Sequence, residues 1–220
     1  MTKAWLLATL SLVLTALPQL FGGTSSAGEK LRATALSEPD LFVEDRINVS
    51  LMTGPLFSHV GLGPSHPHFN YVMTNLRVGW MLNTPSDNAG LLRGNFEAIG
   101  ELSTSGVFSG FGSVVIGPTF LVRYNFVQPG WKLVPYVQVG AGFVYTDAYE
   151  TRSQRAIGQA WEFTPQAAVG FRYLINDHWS VNAEGIYHHI SNADMSDRNL
   201  GINAVGGLVG VSYFFDKLWK

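Results

Sequence analysis

The feature that most constrains the fold of this chain is a repeated alternation of apolar and polar residues. In one stretch the apolar residues Leu76 and Val78 alternate with Arg77 and Gly79. Successive side chains of a β-strand point to opposite faces, so such a stretch has one apolar and one polar face. Turn signals separate eight stretches of strand length, and we predict strands near residues 46–54, 69–82, 91–104, 113–127, 133–146, 161–175, 178–191 and 202–215.

Six charged residues stand on the polar faces of these segments: Arg77, Glu97, Glu101, Arg123, Arg172 and Glu184. The core of a soluble β-sandwich would not accept so many charges. A small membrane barrel fills its interior with charged and hydrogen-bonded side chains and turns its apolar residues outward. The predicted fold class is therefore all-β, an eight-stranded antiparallel transmembrane β-barrel. Because eight strands leave room only for side chains, we expect an interior ion-pair network rather than a pore.

The first 27 residues have the character of a signal peptide that is removed on export. Lys3 gives a positive start, residues 4–17 form an apolar run, and small residues suited to cleavage follow at Ser25, Ser26 and Ala27. We therefore expect residues 28–220 to form the barrel domain. The chain has no cysteine, so an exported domain of this kind must be held together by its core or by a closed hydrogen-bonded sheet.

Composition narrows the location and the partners of the chain. Aromatic residues make up 13% of it, 24 residues are glycine and only 14% are charged, which favours a barrel of the Gram-negative outer membrane. The 14 Lys and Arg residues nearly balance the 16 Asp and Glu residues, without a basic cluster. We therefore expect no nucleic-acid partner.

The lengths of the connections predict how the barrel is oriented. Residues 128–130 and 176–177 form short turns and residues 83–90 a longer, compact one, whereas the connections at residues 55–68, 105–112, 147–160 and 192–201 are mostly longer and polar. Short turns at the periplasm and longer loops outside are the rule for outer-membrane barrels. The seventh strand then runs outward, and its last residues lie at the level of the outer leaflet.

A histidine and a serine stand at the outer end of this seventh strand. His189 and Ser191 are two residues apart and share the face that carries Trp179, Val181 and Tyr187, so both point toward lipid. Polar residues on a lipid-facing wall are unfavourable unless they lie at the membrane edge. A general base beside a hydroxyl nucleophile is the arrangement that ester hydrolysis requires. This pair is the candidate catalytic site.

The segment His189-Ile190-Ser191-Asn192-Ala193, followed by Asn199-Leu200-Gly201-Ile202-Asn203, resembles the PagL family of lipid A 3-O-deacylases. The resemblance implies an outer-membrane barrel that hydrolyses the ester-linked acyl chain at position 3 of lipid A, and so a lipid A or lipopolysaccharide substrate in the outer leaflet. It makes Ser191 the nucleophile and His189 the base. It also implies that Asn192 positions the loop, that Asn199 helps to hold the oxyanion, and that Gly201 allows a tight turn.

The sequence departs from this family at Asn203, where characterised members have a glutamate. An asparagine can orient a histidine ring, but it does not stabilise the imidazolium as a carboxylate does. Three interpretations follow: a working triad with Asn203, an acid recruited from Asp194 or Asp197, or a weak or lost activity. The alternative function is a non-catalytic barrel that stabilises the envelope or binds lipopolysaccharide.

The remaining histidines give no further site. His188 faces the barrel interior by the same alternation, and we expect it to form hydrogen bonds there. His59, His66 and His68 belong to the first outer loop, where no cysteine or carboxylate stands at ligand spacing. We therefore expect no metal ion and no organic cofactor.

Overall fold

A computed structural model describes residues 41–58 and 67–215 of the chain. The predicted signal peptide, the first residues of the predicted barrel domain, His59, His66 and the last five residues lie outside the described residues. The strands are β1 Ile47–Phe57, β2 Asn70–Met81, β3 Gly94–Ser109, β4 Val114–Phe126, β5 Leu133–Thr146, β6 Trp161–Phe163, β7 Gln166–Leu174, β8 Trp179–Ile190 and β9 Ile202–Phe214. Two short 3-10 helices span Asp87–Leu92 and Ala148–Glu150. No helix in the described part of the chain has the length and apolar character needed to cross a membrane.

All strands pair antiparallel in one sheet, in the order β4-β3-β2-β1-β9-β8-β7-β5-β6. The sheet closes because β4 also pairs with β5. Strands β6 and β7 both pair with β5 and are separated only by Thr164 and Pro165. Proline lacks the N–H that a continuous ladder needs. Strands β6 and β7 therefore form one interrupted strand of the barrel, so the nine segments make eight barrel strands. This confirms the predicted all-β, eight-stranded fold.

The predicted strand bounds are close to the observed ones, and the largest differences concern β3. The prediction began it at residue 91, but the chain there is still in the 3-10 helix that ends at Leu92. The predicted far end is residue 104, whereas pairing with β4 extends to Gly106 and pairing with β2 continues to Ser109. Residues 105 and 106 are a serine and a glycine, which resemble a turn in sequence but are held by Val115 and Val114 of β4. Cross-strand pairing here overrides the local preference.

The interior carries the predicted ion-pair network. Arg77 is 1% exposed, whereas its neighbour Val78 is 51% exposed, so the alternation places charge inside and apolar groups outside. The Arg77 guanidinium contacts Glu101 at 2.6 Å and Glu184 at 2.8 Å. A second group joins Arg172 to Glu97 at 3.0 Å. These buried charges are paired, which is the condition under which an interior tolerates them.

Apolar clusters lie above and below this charged layer. The cluster at the end with the short turns consists of Leu41, Phe42, Met81, Val127, Val134, Leu174 and Phe214. The cluster at the end with the long loops includes Ile157, Ile190, Ile202 and Ala204. The second cluster lies directly beneath the loop that follows β8. Its buried side chains support that loop and the end of β8 from inside the barrel.

Candidate active site

The outer face of β8 presents Tyr187 and His189 at its loop end, and Ser191 follows on the same face just beyond the strand. Strand β9 lies beside it in a register that pairs His189 with Asn203. Directly opposed residues of an antiparallel pair bring their side chains close together. Tyr187, His189 and Ser191 are half-buried, and Asn203 is buried. The four side chains therefore form one cluster on the outside of the barrel, as the alternation predicted.

Two hydrogen bonds join Asn203, His189 and Ser191 in a line. The Oδ1 atom of Asn203 lies 2.6 Å from Nδ1 of His189. The other ring nitrogen, Nε2, lies 2.8 Å from Oγ of Ser191. A proton on Nδ1 leaves Nε2 free to accept the serine proton, which is the arrangement of a nucleophile, a base and an orienting group. The geometry can thus activate Ser191 as a nucleophile.

Neither aspartate of the loop takes the place of the missing acid. Asp194 accepts a hydrogen bond from Nδ2 of Asn199, at 2.8 Å, and Asp197 is exposed. The group that faces Nδ1 of His189 is the amide of Asn203. Of the three interpretations of the sequence, the geometry therefore favours the one in which Asn203 itself orients the histidine.

The main chain of Ser191 is held by the short strand β6. Its N–H donates to the carbonyl of Phe163 at 3.1 Å, and the N–H of Phe163 donates to the carbonyl of Ser191 at 2.7 Å. This isolated bridge continues the sheet beyond the end of β8. Ser191 therefore lies on rigid sheet rather than on a free loop, and its Oγ keeps its position relative to the histidine ring.

The loop after Ser191 is folded around two asparagines. Ala193 and Asp194 adopt left-handed backbone conformations, with φ of 52° and 64°. The N–H of Asn192 donates to Oδ1 of Asn199 at 2.9 Å, and its side chain donates to the carbonyl of Arg198 at 3.0 Å. Asn192 thus holds the two ends of the loop together. One Nδ2 hydrogen of Asn199 is committed to Asp194, so only the second is available to an oxyanion.

Arg198 ties this loop to the neighbouring loop between β5 and β6. Its guanidinium donates to the carbonyl of Tyr149 at 2.8 Å and to that of Thr151 at 3.2 Å. The main chain at Leu200 and Gly201 donates to the same loop. Arg198 has no recognisable signature in the sequence, because its partners are backbone carbonyls, which any residue can supply.

Gly201 has a positive φ of 69°, which a residue with a Cβ adopts only with strain. A Cβ at this position would lie 3.0 Å from Cε1 of His189. The glycine therefore allows the turn into β9, as predicted, and also leaves space for the histidine ring.

The neighbouring histidine, His188, points into the barrel. It is 1% exposed, and its Nδ1 lies 2.6 Å from the hydroxyl of Tyr71. This agrees with the predicted interior role and separates His188 from the outward-facing cluster. Among the described residues, no group of three or more His, Cys, Asp or Glu side chains is arranged to bind a metal ion.

Two apolar grooves on the outer wall adjoin the cluster. One, of about 220 Å³, lies beside Ser191 and is lined by Phe143, Trp161, Phe163 and Met195 together with Gln159 and Glu162. The other, of about 560 Å³, follows the wall next to Tyr187 and Val205, where Ala167 and Gly185 are small. Both grooves are lined mainly by apolar side chains.

A family model described as Lipid A 3-O-deacylase (PagL) matches residues 71–212, which is well over half of the chain. The chain belongs to the PagL family. The matched residues include the whole motif from His189 to Asn203, so the resemblance seen in the sequence is confirmed. Membership of the PagL family, together with the closed barrel, makes this an outer-membrane protein.

Similarity to individual proteins extends beyond the PagL family. Outer membrane protein W from Vibrio cholerae serotype O1 (strain ATCC 39315 / El Tor Inaba N16961) is 30% identical over 115 residues, which are 44% of this chain. The matched part is 51% of that relative, so the chain spans about half the length of the curated protein that it matches.

Solved outer-membrane barrels are similar in fold. The crystal structure of the outer membrane enzyme PagL is 17% identical with a TM-score of 0.48, and the match covers 74% of this chain and 97% of that one. The N-terminal β-barrel domain of Pseudomonas aeruginosa OprF is 14% identical with a TM-score of 0.49, covering 78% of this chain and 98% of that domain. At these identities the likeness concerns the fold alone.

Proposed function

We propose that this protein is an outer-membrane esterase that removes the ester-linked 3-hydroxyacyl chain at position 3 of lipid A. The single observation that carries the proposal is the line of hydrogen bonds from Asn203 through His189 to Ser191 on the outside of the barrel. The matching family model carries the name of this activity. A site on the lipid-facing wall suits a substrate whose acyl chains remain in the bilayer.

The proposed reaction proceeds through an acyl-enzyme. Ser191 Oγ attacks the ester carbonyl while His189 Nε2 removes its proton, and the carbonyl oxygen becomes an oxyanion. As the tetrahedral intermediate collapses, the C–O bond to the sugar breaks and the imidazolium returns the proton to the leaving sugar hydroxyl. His189 then removes a proton from water, which attacks the acyl-enzyme. Release of Ser191 with its proton restored yields a 3-hydroxy fatty acid.

The oxyanion would be held by the second Nδ2 hydrogen of Asn199 and by backbone N–H groups of the loop. Preorganised donors of this kind are commonly worth a factor of about 10² to 10³ in rate each. The hydrogen bonds of Asn192 to Asn199 and Arg198 support this role, because they hold the loop in one conformation. No metal ion or organic cofactor takes part in the proposed reaction.

The amide of Asn203 is expected to make the enzyme slow. Replacing the triad acid by its amide reduces the rate of a serine protease by about 10⁴. The Asn203 oxygen still accepts a hydrogen bond from the histidine, but it carries no full charge to stabilise the imidazolium. We therefore propose a working but weak deacylase.

We further propose that residues 1–27 are cleaved as a signal peptide and that the loop after β8 faces the cell exterior. Two connections at this end of the barrel, residues 147–160 and 191–201, are longer than residues 127–132 and 175–178 at the other end, although residues 82–93 and 110–113 do not follow this difference. Long loops outside and short turns in the periplasm are the rule for such barrels. Ser191 then lies at the level of the outer leaflet, where lipid A is located.

The decisive experiment is mass spectrometry of lipid A after incubation with the refolded mature barrel, beside the Ser191→Ala variant. We expect the parent protein to remove one 3-hydroxyacyl chain and the variant to remove none, since alanine has no nucleophile. Heat-dependent migration in gel electrophoresis verifies that both barrels are folded. If lipid A has the same mass after incubation with either protein and keeps its position-3 ester, the result would favour the alternative of a non-catalytic barrel that binds lipopolysaccharide. The amide at position 203 is the observation that keeps this alternative open.

A further inference from the structure

The hydroxyl of Tyr187 contacts the same oxygen that orients the histidine. Tyr187 Oη donates a hydrogen bond to Asn203 Oδ1 at 2.6 Å, and His189 Nδ1 lies 2.6 Å from that same Oδ1. Tyr187 precedes His189 by two residues on β8, so it shares the outer face and stands diagonally across from Asn203. The Oδ1 atom of Asn203 thus accepts hydrogen bonds from both Tyr187 and His189.

This arrangement matters because an asparagine side chain has two chemically different ends. Its oxygen is an acceptor and its nitrogen a donor, and the two ends have nearly the same shape. If the oxygen faces His189, the ring carries its proton on Nδ1 and Nε2 can accept the proton of Ser191. If the nitrogen faces His189, the proton moves to Nε2 and the base is lost. A carboxylate has no such ambiguity, because both of its ends are acceptors.

We propose that Tyr187 is a positioning residue that holds the amide of Asn203 with its oxygen toward His189 and thereby selects the Nδ1–H tautomer of the ring. The phenolic hydroxyl donates to Asn203 Oδ1 at 2.6 Å, within the usual range of an O–H···O hydrogen bond. The tyrosine supplies through orientation what the missing carboxylate would supply through its two equivalent oxygens. The inference rests on the proposed function in one respect: the selected tautomer is the one in which His189 acts as a base.

The test measures the tautomer directly and does not depend on turnover. Barrel labelled with ¹⁵N in its histidines and refolded in detergent micelles gives imidazole ¹⁵N shifts that distinguish Nδ1–H from Nε2–H. The spectra are recorded at mildly alkaline pH, where an ordinary histidine is neutral, and the His189 signals are assigned by their loss in His189→Gln. We expect Nδ1–H in the parent protein and a rise of Nε2–H in Tyr187→Phe.

Replacing Asn203 by aspartate tests whether Tyr187 affects the His189 tautomer by orienting the Asn203 amide or by some other route. In the Asn203→Asp background an oxygen faces His189 in either orientation, so we expect Tyr187→Phe to leave the Nδ1–H tautomer in place. Tyr145→Phe is the matched control, since Tyr145 is another outer-wall tyrosine and packs edge-on against Trp161. We expect it to leave the His189 shifts unchanged.

Lipid A deacylation gives the second measurement. We expect Tyr187→Phe to reduce kcat about three- to tenfold with KM unchanged, the scale of one neutral hydrogen bond, and to have less than about twofold effect beside Asn203→Asp. An unchanged His189 tautomer in Tyr187→Phe would overturn the proposal, and so would an equal shift in both backgrounds. If the tautomer shifts as expected while no variant hydrolyses lipid A, the role of Tyr187 stands and the proposed function fails.

Discussion

Replacing Asn203 by aspartate should accelerate the proposed reaction substantially. Aspartate has the same length as asparagine, so one carboxylate oxygen takes the place of Oδ1, 2.6 Å from Nδ1 of His189. The substitution adds a negative charge beside a ring that becomes positive in the transition state. Catalysis gains from interactions that are stronger in the transition state than in the ground state, and this is such an interaction.

The size of the gain follows from the distance between the charges. Two unit charges about 4 Å apart interact by about 4 kcal/mol at an effective dielectric constant near 20, which corresponds to a factor of about 10³ in rate. The Asn203 side chain is largely shielded from solvent, at 9% exposure, so part of this energy is offset by the desolvation of the carboxylate. The loss of about 10⁴ on amide substitution in a serine protease sets the upper bound. We expect an increase in kcat of about 10² to 10³.

The assay is the initial rate of 3-hydroxy fatty acid release from lipid A in mixed micelles, with KM determined in parallel. The double variant Asn203→Asp with Ser191→Ala shows whether any gain passes through the serine. Asn176→Asp adds the same charge at the opposite end of the barrel, where the Asn176 oxygen accepts hydrogen bonds from two backbone N–H groups. We expect this control to leave the rate unchanged.

Two results would refute the reasoning. A change of less than about threefold in kcat, with the barrel folded, would mean that the group opposite His189 does not stabilise the imidazolium. A gain that persists in the Ser191→Ala double variant would mean that hydrolysis does not proceed through Ser191.

Two further predictions concern the glycine at the site and the interior of the barrel. Gly201→Ala should lower kcat about ten- to a hundredfold, because the added Cβ would lie 3.0 Å from Cε1 of His189 and small displacements of catalytic groups have effects of this size. The control is Gly100→Ala, whose Cβ would meet open space. Equal rates in both variants would contradict the expectation. Arg77→Met should destabilise the barrel by about 3–5 kcal/mol, because it removes the guanidinium that pairs with two buried glutamates. Urea unfolding of the barrel in lipid vesicles measures this, and a loss below about 1 kcal/mol would show that the network does not stabilise the fold.

The sequence by itself determined which residues face inward and which face outward. Side-chain alternation is a local property of an extended chain, because successive residues point to opposite faces whatever the strand pairs with. This is why the interior position of Arg77, the outward position of His189 and the inward position of His188 could all be predicted. The spacing of the motif from His189 to Asn203 likewise indicated the family before any pairing was known.

Only the tertiary structure decided which residues meet. The register of β8 against β9 places Asn203 opposite His189, and that register depends on how the intervening loop folds, not on the alternation of either strand. The same loop turns Asp194 toward Asn199 rather than toward the histidine, which no local pattern indicates. The contact of Tyr187 with Asn203 and the closure of the barrel between β4 and β5 are also relations between distant segments. Such contacts depend on pairing and packing across the whole sheet, so they form only when the barrel closes.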